Sequence, residues 1–96
     1  MKFIFHPEAE DEFFDAIEYY EAVDVGLGYD FSMEVLATVR NITEYPLAWP
    51  ILIEDVRRCL TNRFPFGVIY SIEGDHIHVL AVMHLRRKPG YWEDRR

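Results

Sequence analysis

The sequence predicts an α+β domain in which an antiparallel sheet packs against an N-terminal helical hairpin, in the order β-α-α-β-β-β. Three observations predict it. Apolar side chains recur every three or four positions through the first half of the chain, the spacing of one helix face. From residue 56 the period shortens, and FGVIYSI and HIHVLAVM are rich in β-branched and aromatic residues. Glu73-Gly74-Asp75 divides those two runs as a tight turn, with Gly74 free to take the backbone angles a hairpin needs.

The elements follow in order. KFIF is a short apolar strand with Phe3 and Phe5 on one side. His6-Pro7-Glu8 starts a helix, because proline in the first turn has no intrahelical N–H to lose. Acids at 8, 10, 11 and 12 sit where the helix dipole favours negative charge. Ala9, Phe13, Ala16, Ile17 and Tyr20 form the buried stripe of this helix, which should run to about residue 22, and its acids read as a solvated face. Gly26 and Gly28 break the chain. A second helix follows with Phe31, Val35, Thr38, Val39 and Ile42 as its stripe, and Tyr45-Pro46 stops it. LAWPILIED reads as an irregular connection, with Trp49-Pro50 marking a packed loop or a strand start. In VRRCLTNR, Leu60 is the core candidate, which places Arg57 on the opposite face and Arg58 on the same side as Leu60; Cys59 reads as a small core residue. In the last strand Ile77, Val79, Ala81 and Met83 alternate with His76, His78, Leu80, Val82 and His84.

Length and composition bound the rest. Ninety-six residues without a repeat, linker or low-complexity segment suit a single domain over 1–96. Half the residues are hydrophobic and 28% are charged, a globular balance. One cysteine excludes an internal disulfide, and no Cys/His spacing suggests zinc; with His76 and His78 lacking further ligands, no metal site and no cofactor are expected. The N-terminus has no signal-peptide pattern and no run reaches transmembrane length, so the expected compartment is the cytoplasm, with no membrane partner. The net charge of −7 hides a polarity: residues 1–48 carry −9 and residues 49–96 carry +2.

The cations gather at one end. Arg63 precedes a central strand, and His84, Arg86, Arg87 and Tyr91 follow the next one. The end of one antiparallel strand lies near the start of its neighbour, so Arg63 and the 84–87 segment are expected at one edge of the sheet. Arg63, Arg86 and Arg87 are the phosphate-binding candidates, because guanidinium groups grip phosphate bidentately. His84 is the candidate for proton transfer, and Tyr91 for stacking a base or moving a proton. The competing reading is structural: the arginines pair with the more numerous acids, and Tyr91 and Trp92 pack the tail onto the sheet.

HPEAEDEFFDAIEYYE, the helical hairpin, and RRCLTNRFPFGVIYSIEGDHIHVLAVMHLRRKPGYW together resemble the RelE/ParE superfamily, toxins of bacterial type II toxin–antitoxin systems that include plasmid stabilisation proteins. The most specific parts are Arg63 to Tyr70 and His84 to Trp92, and the resemblance covers nearly the whole chain. It implies a small antitoxin partner whose disordered segment folds over the toxin. It also implies one of two activities. RelE-like members cleave mRNA at the ribosome, and Arg63 matches the arginine they carry at the entry to this strand. ParE-like members share the fold and poison DNA gyrase.

If the nuclease reading holds, the catalytic residues are Arg63, His84, Arg86 and Tyr91, because cleavage by the 2′-hydroxyl needs proton transfer and charge stabilisation at phosphate. The chain departs from RelE-like members: it is acidic, Glu54 and Asp55 stand where lysines are common, and the tail continues through PGYWEDRR. The ParE-like reading therefore comes first, mRNA cleavage second, and an inactive antitoxin-binding member third. An acidic chain opposes direct contact with DNA, so operator contacts are expected only through the antitoxin.

Overall fold

A computed structural model describes residues 1–96. Strand β1 (Lys2–Phe5) leads into helix α1 (Pro7–Val23) and helix α2 (Leu27–Glu44). Strands β2 (Ile51–Ile53), β3 (Val56–Leu60), β4 (Phe66–Glu73) and β5 (His76–His84) follow, and a 3-10 turn over Glu93–Arg95 ends the chain. The α+β class and the helical hairpin are as the sequence predicts. The sheet is mixed rather than antiparallel: its order is β1-β5-β4-β3-β2, and β1 runs parallel to β5. Helix α1 starts two residues after β1 ends, so β1 cannot form a hairpin with its successor. It pairs with the free side of a strand some seventy residues away, a choice that local sequence does not encode. The second difference is β2, three residues of the connection after Pro50 that pair with β3 as an edge strand.

The hairpin is tied by specific contacts. His6 caps α1, its side chain accepting the Glu8 N–H at 3.1 Å. Gly26, at φ 90°, lets the chain reverse, and the Glu21 carboxylate accepts the N–H groups of Gly26 and Gly28 at the start of α2. Gly28 permits close packing of the two helices, since a Cβ there would lie 2.6 Å from the Ile17 carbonyl oxygen.

The main core lies between the helices and one face of the sheet. The α2 stripe of Phe31, Val35, Val39 and Ile42 is fully buried, and it meets Phe66, Val68 and Tyr70 of β4 and Ile77, Val79 and Val82 of β5. Phe31 sits among Phe13, Tyr20, Phe64 and Phe66, with ring centroids 4.8 to 6.1 Å away. A second, smaller cluster covers the opposite face: Val56, Ile69, Leu80, Ala81, Met83 and Trp92.

Two face assignments differ from the sequence reading. In β3, Cys59 joins the main core while Leu60 is 50% exposed; Arg57 pairs with Tyr70 and shares the helix-facing side with Cys59. The Arg57 guanidinium is held there by the Leu47 and Trp49 carbonyls, at 3.3 and 2.7 Å. In β5, a bulge interrupts the alternation: Ile69 pairs with Ala81 and Tyr70 with Val79, leaving Leu80 as the extra residue. The face parity flips there, so Val82 joins Ile77 and Val79 over the helices, while Leu80, Ala81 and Met83 face the other way. His84, two residues after Val82, consequently lies on the helix side.

Gly28→Ala should destabilise the fold. The gain in helix propensity is at most about 1 kcal/mol, whereas overpacking costs about 1–3 kcal/mol; urea unfolding of the two proteins checks the sign. Burial also pushes the Cys59 thiol from 9.0 to about 11 and the Tyr70 hydroxyl from 10.0 to about 12, although Arg57 partly opposes the latter. The unfolded chain loses these protons first as pH rises. The stability these two groups contribute is therefore intact below about pH 9 and falls progressively as pH rises towards about 12. Thermal midpoints measured across that window should drop, and Cys59→Ala should flatten the lower part of the decline.

Candidate functional site

The residues singled out by sequence fall into three groups. Arg63 lies on the connection between β3 and β4, and α2 holds it at both backbone and side chain. Glu34 accepts the Arg63 and Phe64 N–H groups at 2.9 and 3.0 Å. Asp30 pairs with the Arg63 guanidinium at 3.2 Å, and the guanidinium lies 5.1 Å from the centre of the Phe64 ring.

His84 ends β5 opposite Phe66, and the two rings are 5.1 Å apart. Its Nδ1 accepts the Arg86 N–H at 3.0 Å, which leaves Nε2 as the free polar atom of the ring. The imidazole lines an open groove of about 450 Å³ with Asp15, Ala16, Tyr19, Tyr20 and Phe66. The Arg86 side chain is exposed and makes no ion pair. The Leu85 N–H donates to the Pro65 carbonyl at 2.9 Å, so the segments holding Arg63 and His84 do share one end of the sheet, as expected.

Arg87 and Tyr91 form the third group. The Arg87 guanidinium lies 3.5 Å over the Tyr91 ring and 3.2 Å from Glu12 of α1. The Tyr91 hydroxyl is buried without a hydrogen bond of good geometry, and burial, with the adjacent Glu12 carboxylate, pushes its pKa far up. This phenol is neutral and enclosed. Trp92 beside it is 2% exposed and completes the cluster on the outer face of the sheet. Among the five candidates, direct side-chain contact exists only between Arg87 and Tyr91. No groove on the surface takes in more than one of the five.

The decisive residues at this end are ones the sequence reading did not single out. Arg95 is 8% exposed. Its Nη1 donates to the Leu80 carbonyl at 3.0 Å, its Nη2 lies 3.1 Å from Glu12, and its Nε lies 3.0 Å from Glu8. Glu12 also accepts the Val82 N–H at 3.0 Å. Glu12 is thus not part of a solvated face: its side chain is 14% exposed and holds two arginines and a strand. Arg96 closes the tail onto Glu54, at 2.6 Å, and Asp55. A terminal arginine and one acid among many carry no local signal of such roles.

No three His, Cys, Asp or Glu side chains converge as metal ligands, and no helix is long and apolar enough to cross a membrane. Residues 3–89 match the family model of the ParE toxin of the type II toxin–antitoxin system parDE. The chain belongs to the ParE toxin family. Its fold agrees with a solved structure described as the chromosomal ParDE TA system from P. aeruginosa, at 15% identity and a TM-score of 0.78, over 88% of this chain and 96% of that one. No curated protein matches the chain. ParE-family membership implies an antitoxin partner. The family match stops at Pro89, so Tyr91, Trp92 and the anchoring arginines 95 and 96 lie beyond it.

Glu12→Ala should destabilise the protein by about 3 kcal/mol, because it strands a buried arginine and an N–H group. Glu8→Ala removes a 62% exposed partner of the same arginine and should cost at most about 1 kcal/mol. Denaturant midpoints of the two variants measure the contrast.

Proposed function

We propose that this chain is a single toxin domain over 1–96 of a type II toxin–antitoxin module, that it acts in the cytoplasm by binding DNA gyrase rather than by cutting RNA, and that a small antitoxin neutralises it. The observation that carries the choice is the state of Arg87 and Tyr91. A phosphate ligand would have to draw Arg87 away from both Glu12 and the Tyr91 ring, and the Tyr91 hydroxyl is buried beside Glu12 rather than presented to a substrate. Arg63 is likewise paired, with Asp30. Arg63, Arg87 and Tyr91 are thus engaged with the protein itself, which weighs against the charge stabilisation and proton transfer that cleavage requires. Net charge −7 further opposes approach to ribosomal RNA, and it leaves operator DNA to the antitoxin.

The second reading, a ribosome-dependent nuclease, draws on one specific observation: His84 presents Nε2 beside an open groove, and the unpaired Arg86 follows two residues later.

The two readings separate on induction in bacteria. The gyrase reading expects growth arrest that survives Arg63→Ala and His84→Ala, loss of supercoiling by purified gyrase in the presence of the protein, and no new RNA 5′ ends. In-frame mRNA cuts that disappear in Arg63→Ala would replace it with the nuclease reading. Absence of arrest and of gyrase inhibition would leave only antitoxin binding.

A further inference from the structure

The protein holds guanidinium groups against aromatic rings in a repeated way. Arg87 lies over Tyr91 and pairs with Glu12; Arg63 approaches Phe64 and pairs with Asp30. Each pairing combines a ring face with a carboxylate from the helical hairpin. The groove beside His84 has the same components and no cation. Its walls are Tyr19, Tyr20 and Phe66, with Tyr19 and Tyr20 edge to face at 5.3 Å and Tyr20 and Phe66 at 6.2 Å. Asp15 supplies the carboxylate at its rim, and it makes no ion pair.

We propose that this groove, between α1 and the adjoining ends of β4 and β5, is a receptor for an arginine side chain presented by a partner polypeptide. The guanidinium would stack on Tyr19 or Tyr20 and pair with Asp15, with the aliphatic stem against Phe66 and Ala16. Charge favours such an occupant. Asp11, Asp15 and Glu18 are spaced four and three apart along α1, and all three are exposed without an ion pair. Arginine fits better than lysine because its planar, weakly hydrated group stacks on aromatic faces and pairs with a carboxylate together. The volume of about 450 Å³ admits one such side chain and part of its backbone. Nucleic acid is a poor occupant, since the rim carboxylate would repel phosphate. The site does not depend on which cellular target the toxin has.

The test uses the full chain and N-acetyl-arginine methylamide as probe, with the citrulline analogue as its neutral isostere. Ring and amide NMR signals are followed in a titration. Saturable shifts are expected at Tyr19, Tyr20, Phe66 and His84 with the arginine probe, and none with citrulline. Asp15→Asn and Tyr19→Ala should each weaken binding by about 2- to 5-fold, the range of an exposed cation–π or ionic contact. Tyr19 is 65% exposed, so its replacement should leave the fold intact, and Tyr19→Phe, which keeps the ring face, should retain affinity. Equal binding of citrulline, or arginine shifts spread over the whole acidic hairpin and unchanged by both substitutions, would overturn the proposal.

Discussion

The Glu12 carboxylate stands where the first helix, the last strand and the C-terminal tail meet. Strand β1 accompanies β5 only from His76 to Val79. Beyond that point the outer edge of β5 would present unpaired backbone groups, and it also carries the Leu80 bulge. Glu12 accepts the Val82 N–H and Arg95 donates to the Leu80 carbonyl, so a helix side chain and a tail side chain complete the edge that β1 leaves open. Because Arg95 and Arg87 both reach the same carboxylate, the tail is fixed to α1, and Trp92 is fixed over the second apolar cluster. A buried charge is tolerated here because it is paired and hydrogen-bonded at once.

The same arrangement explains the charge polarity of the chain. The first half is strongly acidic and the second half basic, and the fold pairs them across that divide: Arg63 with Asp30, Arg87 with Glu12, Arg95 with Glu8 and Glu12. The terminal cations are mostly internal fasteners. Of the arginines that follow β5, Arg86 alone has no acidic partner. Half of the eight arginines, namely Arg63, Arg87, Arg95 and Arg96, are neutralised against the protein's own acids. The acids left over, on the exposed side of α1, suit a basic polypeptide.

Local pattern reached the parts of this fold that depend on local forces. The stripes of α1 and α2, the stop at Tyr45-Pro46 and the Gly74 turn each follow from periodicity or from the backbone limits of one residue. The burial of Cys59 and Trp92 agrees with their chemistry. Leu60 and His84 escaped the pattern for different reasons. An edge-proximal strand of five residues offers too few alternations to fix its inward face, and Arg57 could face the helices only because two loop carbonyls accept from it. A bulge changes parity without changing composition, so the residues after Leu80 read as the wrong face.

The sequence by itself determined the α+β class, the helical hairpin, the final β-hairpin and the likeness to a toxin superfamily, because each rests on spacing between near neighbours or on ordered motifs. Tertiary structure alone decided that β1 runs parallel to β5 and that Glu12 is enclosed. It also decided that Arg87 and Tyr91 occupy each other while His84 opens onto a separate groove. Those outcomes depend on partners distant in sequence, such as Glu12 with Arg95. Their energy arises from excluding water around a particular pair, and composition does not say which pair that is.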